Sequence, residues 1–247
     1  HNDLWLAMWK VRDDVNTAVL GIHLLNYLIS FLKPRSICTV GINNIMIPFW
    51  EKIGYTVGEL NHYYIVNRNI EKFQLLGDFD GVYNNDHSSR KLNKLVKIKK
   101  SNLQSLSSKF GNLFSDKQIP SKSFNYFFNR YLCHPIYEYK VYALASQDEL
   151  QGLIVFRVAS HNSNYALRVV DYYGDSKGLV GVYEELQGLL DVYNAEYIDF
   201  YNIGIEEKNL FLGGFIKRDL NNQVIIPNYF EPFEKKNIEI KYAFKCD

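Results

Sequence analysis

Asp171 stands in the run Val169-Val170-Asp171-Tyr172-Tyr173, an acid late in an otherwise apolar stretch, where burial or a partner must account for it. Such a carboxylate can take a proton from a nucleophile or anchor a cation; it can equally pair with Arg168 or cap a turn. His134 precedes Pro135, which places it in an extended turn facing a cleft or solvent. These two are the candidates for acid–base work. Lys177-Gly178-Leu179-Val180-Gly181 is a glycine-rich stretch with a cation beside it, leading into a helical pattern. Glu231 and Tyr229 close an apolar run, where the acid could bind a sugar hydroxyl or simply face water. Tyr172, Tyr173, Tyr201 and Tyr229 fall near strand ends, where a ring can stack on a nucleobase or sugar. Cys38, Cys133 and Cys246 are widely spaced and odd in number, so they form neither a zinc pattern nor a closed disulfide framework, and no metal is expected.

The elements that must carry these residues alternate. Leu4-Trp5-Leu6-Ala7-Met8-Trp9 reads as a central strand, Val19 to Phe31 as a helix ending at Lys33-Pro34, and Ile37 to Val40 as a strand. Asn43 can cap a helix that Gly54 stops, and Val57 to Val66 resumes as a strand. Residues 84–123 turn polar, with the basic run Arg90, Lys91, Lys94, Lys97, Lys99 and Lys100, which marks a linker or an exposed helix face. Beyond it, Tyr137 to Leu144, Leu150 to Val158 and Tyr165 to Tyr173 predict a three-strand meander. Gly178 to Tyr193 predicts a helix, Tyr197 to Ile203 a strand, Glu206 to Leu212 a short helix, and Val224 to Phe230 with Ile238 to Phe244 a closing pair of strands. The expected class is α+β, organised as residues 1–85, a linker and helix over 86–122, and residues 123–247.

The halves repeat. Ala18-Val19-Leu20-Gly21-Ile22 matches Gly178-Leu179-Val180-Gly181-Val182, and Val40-Gly41-Ile42-Asn43 matches Ile203-Gly204-Ile205-Glu206. Ile53-Gly54-Tyr55 matches Gly213-Gly214-Phe215, and Leu60-Asn61-His62-Tyr63-Tyr64 matches Ile226-Pro227-Asn228-Tyr229-Phe230. The last match aligns His62 with Asn228, two polar positions that could line a cleft between lobes or stand on edge strands without a role.

Asn43-Asn44-Ile45-Met46-Ile47-Pro48-Phe49-Trp50-Glu51-Lys52-Ile53-Gly54-Tyr55 resembles the Asn-x-x-Ala-x-x-(Phe/Leu)-Tyr-Glu-Lys-x-Gly-Phe segment of the GNAT (Gcn5-related N-acetyltransferase) superfamily. The resemblance implies two GNAT-like lobes with mixed, mostly antiparallel sheets, the first lacking its opening strands. It also implies a turn before the long helix that holds the pyrophosphate of coenzyme A on backbone N–H groups. In the first half Val19 occupies the expected first glycine, Ala18 and Gly21 remain, and Asp13 and Asp14 precede them; acids there would repel phosphate. Electrostatics therefore favour the second half, which makes Lys177, Gly178, Gly181 and Tyr172 the expected cofactor-binding set. Where the family often carries a tyrosine acid this chain has Trp50, and Phe211 or Leu212 in the second half.

The two-lobed form and the Asn-Tyr-Phe-Glu-Pro-Phe strand are similar to N-acyltransferases that modify nucleotide-linked amino sugars for surface polysaccharides. That likeness implies attack of an amine on an acyl-CoA thioester, with Asp171 and His134 as catalytic candidates and backbone near Val170 to Tyr172, or Trp9 to Val11, as oxyanion donor. His62, Asn228, Tyr229 and Glu231 would bind substrate. A tRNA-dependent transferase of tandem GNAT type and a binding module without chemistry are the alternatives.

Composition narrows the partners. The 28 Lys and Arg nearly cancel 27 Asp and Glu, leaving a formal charge of +1 over 247 residues and no global field to attract nucleic acid or an anionic membrane. Small-molecule substrates, a cytoplasmic location and possible self-association are the expectations. The 19 Tyr and 16 Phe bring aromatic content to 15%, which suits packed sheets and an aromatic-walled cleft.

Overall fold

A computed structural model describes residues 2–7, 10–12, 14–15, 19–76, 79, 93–101, 113, 118–146, 149–219 and 224–246. Met8, Trp9, Asp13, Ala18, Arg90 and Lys91, named above, lie outside the described residues. In chain order the strands are β1 (Asp3–Leu6), β2 (Ser36–Val40), β3 (Thr56–Glu59), β4 (Asn61–Val66), β5 (Lys94–Ile98), β6 (Tyr139–Ser146) and β7 (Glu149–His161). They continue with β8 (Asn164–Gly174), β9 (Ala195–Asn202), β10 (Ile216–Lys217), β11 (Tyr229–Phe230), β12 (Phe233–Glu234) and β13 (Lys241–Cys246). The helices are α1 (Leu20–Leu32), α2 (Ile47–Lys52), α3 (Phe124–Phe127), α4 (Tyr183–Val192) and α5 (Glu207–Leu212), and α3 runs on into a π-helical turn, Phe128–Leu132. Among the described strands only β1–β2 and β8–β9 pair in parallel, so the expected α+β class with mixed, mostly antiparallel sheets is what forms. None of the described helices is long and apolar enough to cross a membrane.

Two compact units result, neither contiguous in sequence. The first joins His1–Leu60, Ser115–Ser121 and Glu239–Asp247; the second joins Asn61–Phe114 and Lys122–Ile238. This division differs from the three contiguous stretches expected from composition. In the first unit the sheet order is β1-β2-β13-β3, so the apolar opening run, expected as a central strand, ends the sheet. Leu25 of α1, Ile37, Trp50, Tyr55 and Ala243 make its core. In the second unit the order is β10-β4-β9-β8-β7-β6-β5, with α4 packing Leu186, Leu189 and Leu190 against Ile198 and Phe200 of β9.

The run Val57 to Val66 is therefore two strands. Chain direction changes sheets at Leu60, whose N–H bonds Ile240 O at 2.9 Å, and β4 then pairs antiparallel with β9. The expected closing hairpin of 224–230 with 238–244 does not form: Tyr229–Phe230 pairs with Phe233–Glu234, and β13 pairs with β2 and β3. Lys94 and Lys97 sit on β5, which pairs with β6, so this part of the basic run is the outer strand of a sheet and not a linker.

Two of the sequence matches hold in backbone detail. Gly54 and Gly214 both take positive φ, 83° and 93°, and the next residue closes the helix in the same way, Tyr55 N–H to Trp50 O and Phe215 N–H to Leu210 O, each at 3.0 Å. Gly41 and Gly204, beyond the ends of β2 and β9, take nearly the same positive φ, 81° and 83°. The match of Gly21 with Gly181 does not hold, because Gly21 lies inside α1 whereas Gly181 precedes α4.

Candidate functional site

In the first unit the parallel register runs from Asp3↔Ser36 to Leu6↔Thr39, and the pairing ends there. The base of β1 is pinned by Asp3, whose carboxylate accepts from Arg35 Nη2 at 2.6 Å, Ser36 Oγ at 2.7 Å and the Ser121 N–H at 2.6 Å. Those donors outweigh the burial that would raise it and hold the carboxyl at about 2. Past Leu6 a cavity of about 560 Å³ opens, lined by Leu6 and Ala7, by Val19, Gly21 and Ile22 at the start of α1, by Thr39 to Asn43, and by Met46, Phe49 and Trp50. That volume is in the range of small-molecule sites. Among the described residues no side chain caps α1, and no acid stands in its first turn, so its N-terminal partial charge is not countered within that turn. Val19 itself is held at φ 64°, the left-handed region that glycine enters without strain. Trp50 is buried edge-on to Tyr55 at 4.9 Å and Phe49 at 5.4 Å. Among the described lining residues none is titratable.

The turn of the second half is closed. Lys177 N–H bonds Asp175 Oδ1 and Gly178 N–H bonds Asp175 O, both at 2.9 Å; Val180 N–H bonds Lys177 O and Gly181 N–H bonds Leu212 O, both at 3.1 Å. Leu179 and Val182 are fully buried, and a Cβ on Gly178 would lie 3.0 Å from Gln151 Cβ. Tyr172 donates its hydroxyl to Asp175 O, and α4 opens with Glu184 and Glu185. This arrangement runs against the expectation for Lys177, Gly178, Gly181 and Tyr172: the N–H groups of Lys177, Gly178, Val180 and Gly181 and the Tyr172 hydroxyl are already used within the fold, and acids follow them.

In the second unit β8 leaves β9 after Val169↔Phe200, and on the β7 side the register steps from Phe156↔Val169 to Val155↔Asp171. Val170 is the extra residue of a β-bulge, at the expected position of an oxyanion donor. Asp171, buried beyond it, accepts from Lys122 Nζ and from the Tyr131 hydroxyl, whose pKa burial, and then the Asp171 charge, push far above the ordinary phenol value. Arg168, the expected alternative partner, is occupied elsewhere. His134 is a turn residue: Nδ1 accepts the N–H groups of Ile136 and Tyr137 at 3.2 and 2.9 Å, and its ring lies against Tyr137 and Tyr139. With Nδ1 engaged, the proton of the neutral ring sits on Nε2.

His62 and Asn228 do converge, though on a buried acid that sequence reasoning passed over. Asp199, 1% exposed, accepts from Asn228 Nδ2 at 2.9 Å and Arg168 Nε at 3.3 Å, while His62 Nε2 lies 3.8 Å from it. The His62 ring stacks on Tyr201 at 3.9 Å, and neither ring nitrogen has a hydrogen-bond partner among the described residues. Burial first, then Arg218 and Arg168, hold His62 down to about 3, and burial raises Asp199 against the pull of Arg168 and Asn228. Both His62 and Asn228 are closed off from solvent, which corrects their expected place on a cleft wall. Tyr229 is half exposed and Glu231 is exposed, 3.6 Å from Arg157 Nη2. The available signal for Asp199 was a lone acid alternating with aromatics in Tyr197-Ile198-Asp199-Phe200-Tyr201.

No family model and no curated protein matches the chain. Similar solved structures include a functionally unknown conserved protein from Staphylococcus epidermidis, 10% identical, covering 94% of this chain and 81% of that one at a TM-score of 0.47. A GCN5-related N-acetyltransferase from Anabaena variabilis is 13% identical over 94% of this chain and 51% of its own, with a TM-score of 0.44. Another from Kribbella flavida is 10% identical over 96% and 50%, with a TM-score of 0.45. The chain spans about half the length of these two acetyltransferases, and at such identities the likeness is one of chain trace.

Proposed function

We propose that the chain binds an acyl-CoA thioester in the cavity of its first unit and serves as an N-acyltransferase. The carrying observation is that cavity, opening where parallel β1 and β2 part beside an uncapped, acid-free helix start. Backbone N–H groups in the first turn of α1 would hold the pyrophosphate, and the apolar walls from Leu6, Ile22, Phe49 and Trp50 would exclude water from the pantetheine arm. The acyl-CoA supplies the activated carbonyl. The proposed acceptor, from the sequence resemblance, is the amine of a nucleotide-linked amino sugar.

A second reading, a lobe that binds the thioester without chemistry, is favoured by the lack of a titratable side chain among the described lining residues. Calorimetry with coenzyme A tests the cavity. Binding should be lost in Val40→Trp, which fills the end of β2, and kept in Lys177→Ala; the reverse pattern refutes the placement. Chromatographic detection of coenzyme A released from acetyl-CoA with a nucleotide-linked amino sugar then separates enzyme from binding lobe. Failure of coenzyme A to bind sinks both readings.

A further inference from the structure

Asp171 is surrounded by the groups that recognise a primary ammonium. Its carboxylate is buried, Tyr131 donates its hydroxyl to one oxygen, and the Lys122 ammonium bonds the other. The same ammonium lies 5.9 Å from the ring centroids of both Phe127 and Tyr173, which themselves pack at 5.8 Å. A carboxylate with two ring faces is the chemistry of a desolvated cation site. Every wall stands on a fixed element: Asp171 and Tyr173 on β8 beyond the bulge at Val170, Phe127 on α3, Tyr131 on the π-helical turn. The occupant does not. Lys122 belongs to the non-repetitive residues before α3, and its side chain is 18% exposed, so it can leave without breaking a helix or a sheet ladder.

We propose that Asp171, Tyr131, Phe127 and Tyr173 form a binding site for an n-alkylammonium group, and that the chain's own Lys122 is its resident occupant. The ligand must be slender, because what fills the site is an unbranched methylene stem, and it must carry N–H donors, because Asp171 takes them. A ring-borne amine such as that of a hexosamine matches neither the stem nor the ring faces. The inference makes no use of acyl transfer, and binding is measured with no acyl donor present.

The test is calorimetric titration of Lys122→Ala with n-butylammonium chloride, beside wild type. The emptied site should bind n-butylammonium at least about tenfold more tightly than wild type, and tetramethylammonium or glucosammonium no better than wild type does. Adding Asp171→Asn should abolish the gain. Equal binding by wild type and Lys122→Ala, or a gain that survives Asp171→Asn, overturns the proposal. Lys122→Ser replaces the alanine variant if that fails to fold. If neither folds, wild type must show a saturable rise in Tm with n-butylammonium over equal potassium, and no such rise overturns it.

Discussion

Replacing Val19 by glycine should stabilise the first unit, although it removes a side chain and adds none. Val19 is a β-branched residue at φ 64° and is 54% exposed, so it bears left-handed strain without much burial to offset it. Relief of that strain contributes about 1–2 kcal/mol, and glycine serves an N-cap better than valine by about 0.5 kcal/mol. Against this, glycine raises the entropy of the unfolded chain by about 0.4–1 kcal/mol, and half a buried valine is lost, about 0.8 kcal/mol. The balance is a gain of about 0.5 kcal/mol, or roughly 1–2 °C in Tm at this chain length. The three tryptophans, Trp5, Trp9 and Trp50, all fall in His1–Leu60, so tryptophan fluorescence in urea follows this unit. A higher midpoint at unchanged m is expected for Val19→Gly, with no gain for Val19→Ala, which keeps most of the left-handed penalty. A Val19→Gly protein less stable than wild type by more than about 0.5 kcal/mol would refute the strain argument.

Gly41→Ala and Gly214→Ala share a positive φ and differ in space: a Cβ at 41 meets nothing within 4 Å, whereas at 214 it would stand 2.3 Å from Tyr183 Cδ2. The first should cost about 1 kcal/mol and the second at least about 2 kcal/mol more in urea unfolding; equal costs would show that backbone strain alone sets the penalty. His62 is held near 3 in the fold against an ordinary 6.5, so its contribution is complete above pH 6.5 and is lost as pH falls toward 3. That loss amounts to at most about 4 kcal/mol. His62→Phe keeps the stack on Tyr201 and should flatten stability between pH 6.5 and 3 relative to wild type; parallel curves for the two proteins would contradict this.

Local geometry was legible in the sequence and pairing over distance was not. Gly54-Tyr55 with Gly214-Phe215, and Gly41 with Gly204, are backbone devices that a residue type encodes at its own position, and both recur with nearly the same φ. The meander of β6, β7 and β8 was readable because each strand pairs with its sequence neighbour. The split of Val57 to Val66 was not, because β3 and β4 are separated by Leu60 alone and nothing local says that their partners are β13 and β9. The site shows the same division. Asp171 stood out as an acid among apolar residues, yet its partners Lys122 and Tyr131 lie 49 and 40 residues away. The choice of cofactor turn misled because glycines and a lysine were weighed as free donors, whereas Asp175 and the Leu212 carbonyl already take their N–H groups.

The placement of β13 between β2 and β3 sets an order on synthesis. The first unit holds the proposed donor cavity near its beginning, yet its sheet cannot be continuous until Cys246, which pairs with Ser36, has left the ribosome. Until then β2 and β3 expose open edges, the kind that invite wrong partners. A nascent chain stalled between Trp50 and Lys241 would thus carry every described residue that lines the cavity and still lack the strand that stands between β2 and β3.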